Sequence, residues 1–316
     1  MKLIESKAEY IPQEEGLEGI YKVIELAGRT AYHSQDKITP DSAKDFVDRM
    51  IKSKHGAALE HGTVYLSVPF KQADRRSNDN AYVIWDNYRD NPYSYVKQIQ
   101  TVFKKMESEG FVAVTTNLRV LVENNWLDDL QYLCSPTEFH EKRYTMRFTC
   151  SRAIAQELTR HRTFSFLMES QRYINYSKER HGGEITYIKP SWLNLPEMSV
   201  KYDDGIYVDT PGLSIVDFEN ESSFLWAIAL AEKQYFELLE QGWQPQQARD
   251  VLPNATKTEL IMTGFSSDWK HAIDLRLFGK TGAPHPDMID LMQKAQKAMQ
   301  EAGIWDDIMS KSSKFE

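Results

Sequence analysis

The sequence lacks the features of a secreted, membrane-spanning or generally nucleic-acid-binding protein. Its 316 residues include only two cysteines, Cys134 and Cys150, which form no metal or redox motif. No apolar run approaches the length of about 20 residues that crosses a bilayer. The N-terminus carries acidic residues where a signal peptide needs an apolar centre. The formal net charge is −8, whereas binding to nucleic acids in general requires a basic face. We therefore expect a cytoplasmic protein with reduced thiols and no membrane or nucleic-acid partner.

Apolar periodicity predicts helices and strands along most of the chain. Hydrophobic residues make up 41% of the sequence and aromatics 12%, which is enough for a sizeable core. The helical spacing of apolar residues predicts helices over 19–31, 41–53, 118–123, 152–159, 221–240 and 269–278, and a last one from Pro286. Strands are predicted over 63–68, 111–116 and 143–150. Helices thus outnumber strands, and the strands are too few for a doubly wound sheet.

These elements predict one α+β domain over residues 1–316, with a small, mostly antiparallel sheet flanked by helices. Residues 71–110 are polar, and we interpret them as an insertion that forms a surface loop and a short helix. Residues 186–215 contain three prolines, which indicates an irregular connection, with a second insertion at about 190–215. The sequence contains no internal repeat and no low-complexity tract.

One predicted strand leads directly into a basic motif. Residues 143–150 alternate polar and apolar side chains, which predicts a strand with one buried face. Ser151 follows and is a favourable N-cap for the helix over 152–159. The Arg-His-Arg triplet at 160–162 stands where that helix ends. We expect its side chains to point across the sheet edge into a cleft.

The basic motif has the composition of an anion site. Residues 160–172 contain three arginines, one histidine, two serines and one glutamate. Because the arginine fork fits phosphate or carboxylate oxygens in pairs, a phosphorylated small molecule is the expected ligand. The alternative for such a triplet is a solvated basic loop. The neighbouring Phe164, Phe166, Leu167 and Met168 favour burial, however, which would hold the polar groups at the edge of a core.

The motif also resembles a family signature. The triplet at 160–162, followed by seven residues and then Ser170, resembles the signature of flavin-dependent thymidylate synthases, which methylate dUMP to dTMP with folate and a reduced flavin. Three more segments resemble family elements in the expected order. They are His55-Gly-Ala-Ala-Leu-Glu60-His61, Ala248-Arg249-Asp250-Val251-Leu252-Pro253 and Leu275-Arg276. The resemblance spans most of the chain.

The resemblance implies an FAD site. Its residues are His55, Arg160, His161, Arg162 and His271. His271 stands where the family commonly has an asparagine. Cationic or dipolar groups beside the isoalloxazine ring can stabilise the negative charge of reduced flavin. Taken alone, His55 is an ordinary helix-end histidine. The neighbouring Glu60 and His61 are expected to have a structural role at the entry to the next strand.

The resemblance also implies a dUMP site. Its residues are Glu157, Glu169, Ser170, Arg172, Arg249 and Arg276. Several donors suit a phosphate, which carries close to two negative charges and three acceptor oxygens. Many family members have Asn-Glu at the positions of Leu167 and Met168, whereas here the acid is Glu169. Arg276 is the catalytic candidate, because positive charge near the uracil carbonyl polarises the ring. Without the resemblance, Arg249 fits a helix surface and Arg276 fits compensation of a helix dipole.

The implied activity needs several small molecules and a self-assembled protein. The resemblance implies FAD, NADPH as reductant, methylenetetrahydrofolate as one-carbon donor, and a homotetramer with active sites between subunits. The unrelated class of thymidylate synthase uses a catalytic cysteine preceded by proline, but leucine precedes Cys134 and threonine precedes Cys150. The alternative is a non-catalytic nucleotide- or RNA-binding protein that uses the basic segment 160–181 for phosphates.

Overall fold

A computed structural model describes residues 1–72, 80–104, 107–172, 174–178, 182–202, 205–214 and 221–312. The strands in these ranges are β1 (Lys2–Ile4), β2 (Lys7–Ile11), β3 (Thr63–Gln72), β4 (Tyr95–Lys104), β5 (Glu107–Asn117), β6 (Arg143–Ser151), β7 (Ser165–Met168), β8 (Thr186–Ile188), β9 (Met198–Tyr202), β10 (Ile206–Val208) and β11 (Lys257–Phe265). The helices are α1 (Gly16–Ala31), α2 (Ser42–Lys52), α3 (Gly56–Leu59), α4 (Asn80–Arg89), α5 (Leu118–Asn124), α6 (Arg152–Leu158), α7 (Ser222–Glu240), α8 (Pro245–Ala248), α9 (Ser266–Arg276), α10 (Pro286–Glu301) and α11 (Trp305–Met309).

The central sheet holds the basic motif. Its strand order is β2-β6-β11-β7, and all of its pairs are antiparallel. The apolar side chains of β6 and β11 pack against α9 and α10. Trp269 of α9 is fully buried there, and its Nε1 donates a hydrogen bond to the backbone oxygen of Tyr144, 3.0 Å away. The opposite face of the sheet lies against α1. In this sheet β6 precedes the motif, β7 follows it, and β11 leads directly into α9, which packs on the sheet.

Two smaller sheets flank the central one. The second sheet has the order β3-β5-β4, and its core includes residues of α1, α2 and α4. The third sheet has the order β10-β9-β1-β8, and α7 packs on it. The pair β1–β8 is parallel, while every other strand pair among the described residues is antiparallel. The predicted α+β class with mostly antiparallel pairing is confirmed, although three sheets replace the single small sheet that we expected.

Most of the predicted helices are confirmed, whereas several strands went unpredicted. Among the described residues, eleven α-helices and three 3-10 helices stand beside eleven strands, so helices outnumber strands as expected, but the strands are far more numerous than predicted. Within 71–110 the predicted short helix is confirmed as α4, whereas the interpretation as a surface loop was wrong for β4 and for the part of β5 that it included. Residues 186–215 also contain three short strands rather than only irregular chain. A further helix, α11, follows α10. Several missed strands, such as β2, β7 and β11, pair with segments distant in sequence, and a local pattern does not reveal such pairing.

The polar face of β6 is buried in the first half of the strand. Arg143 and Thr145 are only 9% and 6% exposed. The sequence of β6 nevertheless alternates polar and apolar residues, which is typical of a strand with one exposed face. The Arg143 guanidinium donates hydrogen bonds to the backbone oxygen of Glu60 at 3.2 Å and to Ser165 Oγ at 3.3 Å. The residues around α3 therefore cover this face. Among the described residues, no helix has the length and apolarity needed to cross a bilayer.

Candidate active site

The Arg-His-Arg triplet lies in the turn between α6 and β7. Ser151 caps α6 as predicted, because its Oγ accepts a hydrogen bond from the backbone N–H of Ile154 at 3.3 Å. After the end of α6, the backbone N–H of Arg160 donates a hydrogen bond to the backbone oxygen of Glu157. The backbone N–H of His161 donates one to the backbone oxygen of Leu158. The chain then reverses into β7, which pairs with β11. The triplet is thus held between two elements anchored in the central sheet.

Burial separates the three residues of the triplet. His161 is 8% exposed, whereas Arg160 and Arg162 are exposed. Within the described part of the chain, neither arginine has a carboxylate partner in an ion pair. The two guanidinium groups on either side of the buried imidazole are therefore available to an anionic ligand. This arrangement suits the phosphates of a dinucleotide cofactor such as FAD.

The buried imidazole belongs to a cluster formed with α9. Arg276, the last residue of α9, donates from Nε to His161 Nε2 at 3.0 Å. The same guanidinium donates to a carboxylate oxygen and to the backbone oxygen of Glu157, both at 3.3 Å. The ring of His271 lies 6.3 Å from the ring of His161, edge to face. The fold thus brings together four residues that the sequence assigned separately to the FAD and dUMP sites.

The surroundings of His161 keep its imidazole neutral. Burial, the positive charge of Arg276 and the proximity of His271 together lower the pKa of His161 to about 4. A neutral ring with an unprotonated Nε2 is the form that accepts a hydrogen bond from an arginine. At neutral pH the cluster therefore contains a neutral histidine that holds the Arg276 guanidinium in place.

Glu169 lies inside the protein and is fully engaged there. One of its carboxylate oxygens accepts a hydrogen bond from His33 Nδ1 at 2.7 Å. The other accepts from Lys257 Nζ at 3.1 Å and from the backbone N–H of Glu259 at 3.2 Å. Burial raises the pKa of this carboxyl, but the His33 hydrogen bond and the Lys257 charge outweigh it and hold the pKa below its usual value. The nucleotide contact of Glu169 stays a prediction, and its observed contacts are structural.

The loop after β7 carries two of the predicted phosphate contacts. The backbone N–H of Ser170 donates to the oxygen of Ala31 at 3.0 Å, which fixes the loop against the end of α1. The backbone N–H of Arg172 donates to Ser170 Oγ at 3.4 Å. The Arg172 side chain is exposed. Its guanidinium therefore reaches solvent next to the anchored serine.

The two outermost predicted residues lie on other elements. His55 is exposed and precedes the first residue of α3, which packs against β7. Arg249 is half-buried and begins a short 3-10 helix after α8. Arg152, the first residue of α6, lies close enough to Arg249 for the two charges to repel. The sequence analysis did not anticipate that Arg152 lies near Arg249.

One cavity of the protein lies away from these residues. A cavity of about 260 Å³ is lined by Tyr65, Cys134 and Arg143, among others, and none of the predicted site residues is among its lining residues.

His61 lies close to Arg143 and is fully buried, with Nδ1 2.8 Å from Thr263 Oγ1. Burial, followed by the charge of Arg143, lowers the pKa of His61 to about 3. A neutral buried histidine fits the structural role that we expected for it.

Comparison with known proteins identifies the family. The family model described as thymidylate synthase complementing protein matches residues 93–302, which is well over half of the chain. The chain belongs to this family. The matched range includes the Arg-His-Arg triplet, Ser170, Arg249 and Arg276, whereas His55 lies outside it.

Named relatives are similar over part of their length. A flavin-dependent thymidylate synthase of Pyrococcus furiosus is 30% identical over 161 residues, which are 50% of this chain and 53% of that protein. One from Corynebacterium efficiens is 34% identical over 133 residues, which are 40% and 46% of the two chains. The chain spans about half the length of the curated relatives that it matches.

Solved structures are similar over nearly the whole chain but at low identity. A UMP/dUMP methylase, PolB from Streptomyces cacaoi, is 15% identical, with 98% of this chain and 97% of that one covered and a TM-score of 0.43. Thymidylate synthase X from Helicobacter pylori is 16% identical, with 97% and 99% covered and a TM-score of 0.35.

Proposed function

We propose that this protein is a flavin-dependent thymidylate synthase. It would reductively methylate dUMP to dTMP, with methylenetetrahydrofolate as carbon donor and NAD(P)H as reductant of FAD. The observation that carries this proposal is the hydrogen bond from Arg276 to His161, across 115 residues of sequence. It joins two motif elements of the family into one cluster of hydrogen-bonding groups. The membership of the chain in the thymidylate synthase complementing family supports the same activity.

In this proposal the triplet holds the flavin. Arg160 and Arg162 would bind its anionic groups, and His55 and His271 would complete the site from α3 and α9. Bound reduced FAD supplies the hydride for the reductive methylation. His161 is buried and holds Arg276, so its contribution to the flavin would come through the ring edge that remains accessible. The donor set fits a phosphate-bearing cofactor because both exposed guanidinium groups lack carboxylate partners in the described residues.

The nucleotide would bind beside the flavin. Ser170, Arg172 and Arg249 would bind the phosphate of dUMP, and Glu157 and Glu169 would complete the nucleotide site. Arg276 would face the uracil ring and polarise its carbonyl, which concentrates positive charge where negative charge develops. The hydrogen bond to His161 and the ion pair with Glu157 fix the direction of its guanidinium. Fixed donors of this kind lower the reorganisation needed during the reaction.

We also propose that the protein forms a homotetramer with shared active sites. In each subunit the whole chain would form one domain, with insertions near 71–110 and 190–215. Trp226 and Leu230, one helical turn apart on α7, are 43% and 47% exposed. Adjacent exposed apolar side chains of this kind suit an interface between subunits. Light scattering would give the mass of the assembly.

The two free thiols support a reducing, cytoplasmic setting.

The activity can be tested directly. The purified protein is expected to take up FAD, with flavin absorbance, and to form dTMP from dUMP only when methylenetetrahydrofolate and NADPH or NADH are present. Chromatography of the nucleotide product measures this. Failure to bind FAD, together with no dTMP, would overturn the proposal. Retention of RNA on a filter by the same flavin-free protein would favour the non-catalytic alternative.

A further inference from the structure

The end of α1 has a backbone conformation that favours glycine, although the residue there is a histidine. His33 has a φ of 49°, in the left-handed region. Its backbone N–H donates to the oxygen of Thr30 at 3.2 Å, and that of Ser34 donates to the oxygen of Arg29 at 2.9 Å. These two bonds form the Schellman motif that ends many helices, in which the left-handed residue is usually glycine. Ending α1 therefore does not account for the imidazole.

The imidazole of His33 contacts a buried carboxylate next to the basic motif. The His33 side chain is 35% exposed, whereas that of Glu169 is 4% exposed, and Nδ1 of His33 lies 2.7 Å from Oε1 of Glu169. Because an ionised carboxylate only accepts hydrogen bonds, Nδ1 is the donor. The two residues are 136 positions apart in the sequence. His33 thus reaches from the surface at the end of α1 to a carboxylate inside the protein.

The end of α1 also holds the backbone next to that carboxylate. The backbone N–H of Ser170 donates to the oxygen of Ala31, the last residue of α1, at 3.0 Å. The backbone N–H of Glu169 donates to the oxygen of Glu259 on β11 at 2.8 Å. The chain at 169–170 is therefore attached to the end of α1 twice, through the Glu169 side chain and through the Ser170 amide, and to β11 as well.

The segment after α1 has a second attachment to β11. Gln35 Nε2 donates to Glu259 Oε2 at 3.3 Å. Lys257 Nζ donates to Glu259 at 2.9 Å and to Glu169 at 3.1 Å. Together with the contact between His33 and Glu169, these bonds close a ring of five side chains. A connected polar network restrains its members, so the loss of the His33 contact should loosen Glu169 and the turn that follows it.

We propose that His33 is a positioning residue of the nucleotide site, which acts through Glu169 on the turn that carries Ser170 and Arg172. The inference rests on the proposed function, in which these two residues bind the phosphate of dUMP. The backbone N–H of Arg172 donates to Ser170 Oγ at 3.4 Å, so both residues depend on the position of the turn. His33 itself does not touch the nucleotide. Because donors that are already fixed lose less freedom on binding, a loosened turn should weaken binding rather than chemistry.

The test removes the imidazole without straining the backbone. On protein loaded with FAD, His33→Gly should raise the Kd and KM for dUMP about ten-fold, while kcat and the FAD affinity change by less than about two-fold. His33→Asn should recover most of the dUMP affinity, because asparagine tolerates the left-handed region and its side-chain amide donates as Nδ1 does. Asn125→Gly is the matched control, since exposed Asn125 has a φ of 60° at the end of α5. It should leave all four constants unchanged.

A second measurement follows the turn in the absence of nucleotide. Exchange of the Ser170 amide hydrogen should be about ten-fold faster in His33→Gly than in wild type, and unchanged in Asn125→Gly. A double variant identifies the route of the effect. Adding His33→Gly to Glu169→Gln should weaken dUMP binding no further than Glu169→Gln alone, because both substitutions break the same contact.

Several outcomes overturn the inference and leave the proposed function intact, provided that wild type forms dTMP. They are an unchanged dUMP affinity in His33→Gly, equally weak binding by His33→Asn and His33→Gly, and losses for His33→Gly and Glu169→Gln that multiply. Wild-type protein that neither binds dUMP nor forms dTMP overturns the proposed function, and the inference with it. Should His33→Gly fail to fold, His33→Asp replaces it, because aspartate tolerates the same backbone but repels Glu169 instead of donating to it.

Discussion

Arg276 donates a hydrogen bond from Nε to His161 Nε2 across 3.0 Å, although the two residues lie on different elements. The bond requires a neutral imidazole, and the low pKa of His161 provides it. The same guanidinium forms an ion pair with Glu157. Glu157 of α6, His161 of the turn that follows and Arg276 of α9 thus form one unit, in which we expect a change of one residue to alter the others.

Arg276→Gln should raise the pKa of His161 from about 4. The rise should be partial, because burial is the first cause of the low pKa and the charge of Arg276 only the second. Titration of histidine-labelled protein by NMR measures this pKa. Arg147→Gln, on the exposed ion pair with Glu9, serves as the control and should leave it unchanged. The same titration curve for His161 in wild type and Arg276→Gln would contradict the coupling.

Acid should destabilise the folded protein well above the range in which carboxylates titrate. The unfolded chain takes up protons on His61 and His161 near their ordinary pKa of 6.5, whereas the folded protein takes them up only near pH 3 and pH 4. The free energy of unfolding should therefore fall as the pH falls from 6.5 toward 4. Each of the two histidines contributes up to about 1.4 kcal/mol per pH unit. Urea unfolding at a series of pH values measures the slope.

A histidine variant identifies the source of that slope. His61→Gln should reduce the dependence of unfolding free energy on pH in this range, in addition to a constant loss of stability from the hydrogen bond to Thr263. His55→Gln is the control, because it replaces an exposed histidine and leaves both buried histidines in place. It should retain the wild-type dependence of the unfolding free energy on pH. If both variants retain the full slope, buried His61 is not its origin.

Arg172→Ala should weaken dUMP binding while leaving the fold intact. Its side chain is exposed, so its removal creates no cavity. Loss of a charge-assisted hydrogen bond to the phosphate corresponds to about 1.5–3 kcal/mol, or roughly ten- to a hundred-fold in affinity. Calorimetric titration with dUMP measures the change, and Lys178→Ala, at a nearby exposed lysine, is the control. An affinity equal to that of wild type would exclude Arg172 from the phosphate site.

Replacing both cysteines should leave thymidylate formation largely unchanged. Burial raises the pKa of Cys134 and raises that of Cys150 to about 12, so neither forms the thiolate that a covalent mechanism needs. Cys150 is 1% exposed in the core of the central sheet, so some stability is lost on substitution. The double variant Cys134→Ser, Cys150→Ala should be assayed with FAD and NADPH at a temperature where it is folded. Abolished turnover with flavin still bound would point to a cysteine nucleophile.

Lys257→Met should destabilise the protein strongly. Lys257 pairs with Glu169, which is 4% exposed, and its removal leaves that carboxylate buried with fewer partners. Breaking a buried ion pair costs about 3 kcal/mol or more. Denaturant unfolding measures the loss. Lys44→Met removes an exposed ion pair with Asp48 and should cause little change. Equal stability of the two variants would show that the Glu169 network contributes little.

The sequence by itself determined the local structure around the motif and the family. Ser151 as N-cap, the helix predicted over 152–159 and the triplet after its end all follow from signals within a few residues. The structure confirms the cap and a helix over Arg152–Leu158. The spacing from the triplet to Ser170 indicated the family, and the match over residues 93–302 confirms it. Capping and apolar periodicity act between neighbours in the chain, so they can be recognised without the fold.

Only the tertiary structure decided which distant residues meet. The strand β11 escaped prediction because both of its faces are largely buried, which removes the alternation that marks a half-buried strand. Its pairing with β6 and β7 places α9, and hence Arg276, beside His161. The burial of Glu169 among His33, Lys257 and Glu259 likewise depends on segments far away in the sequence. Sheet register and packing set these contacts, because their energies come from pairs of segments rather than from either segment alone.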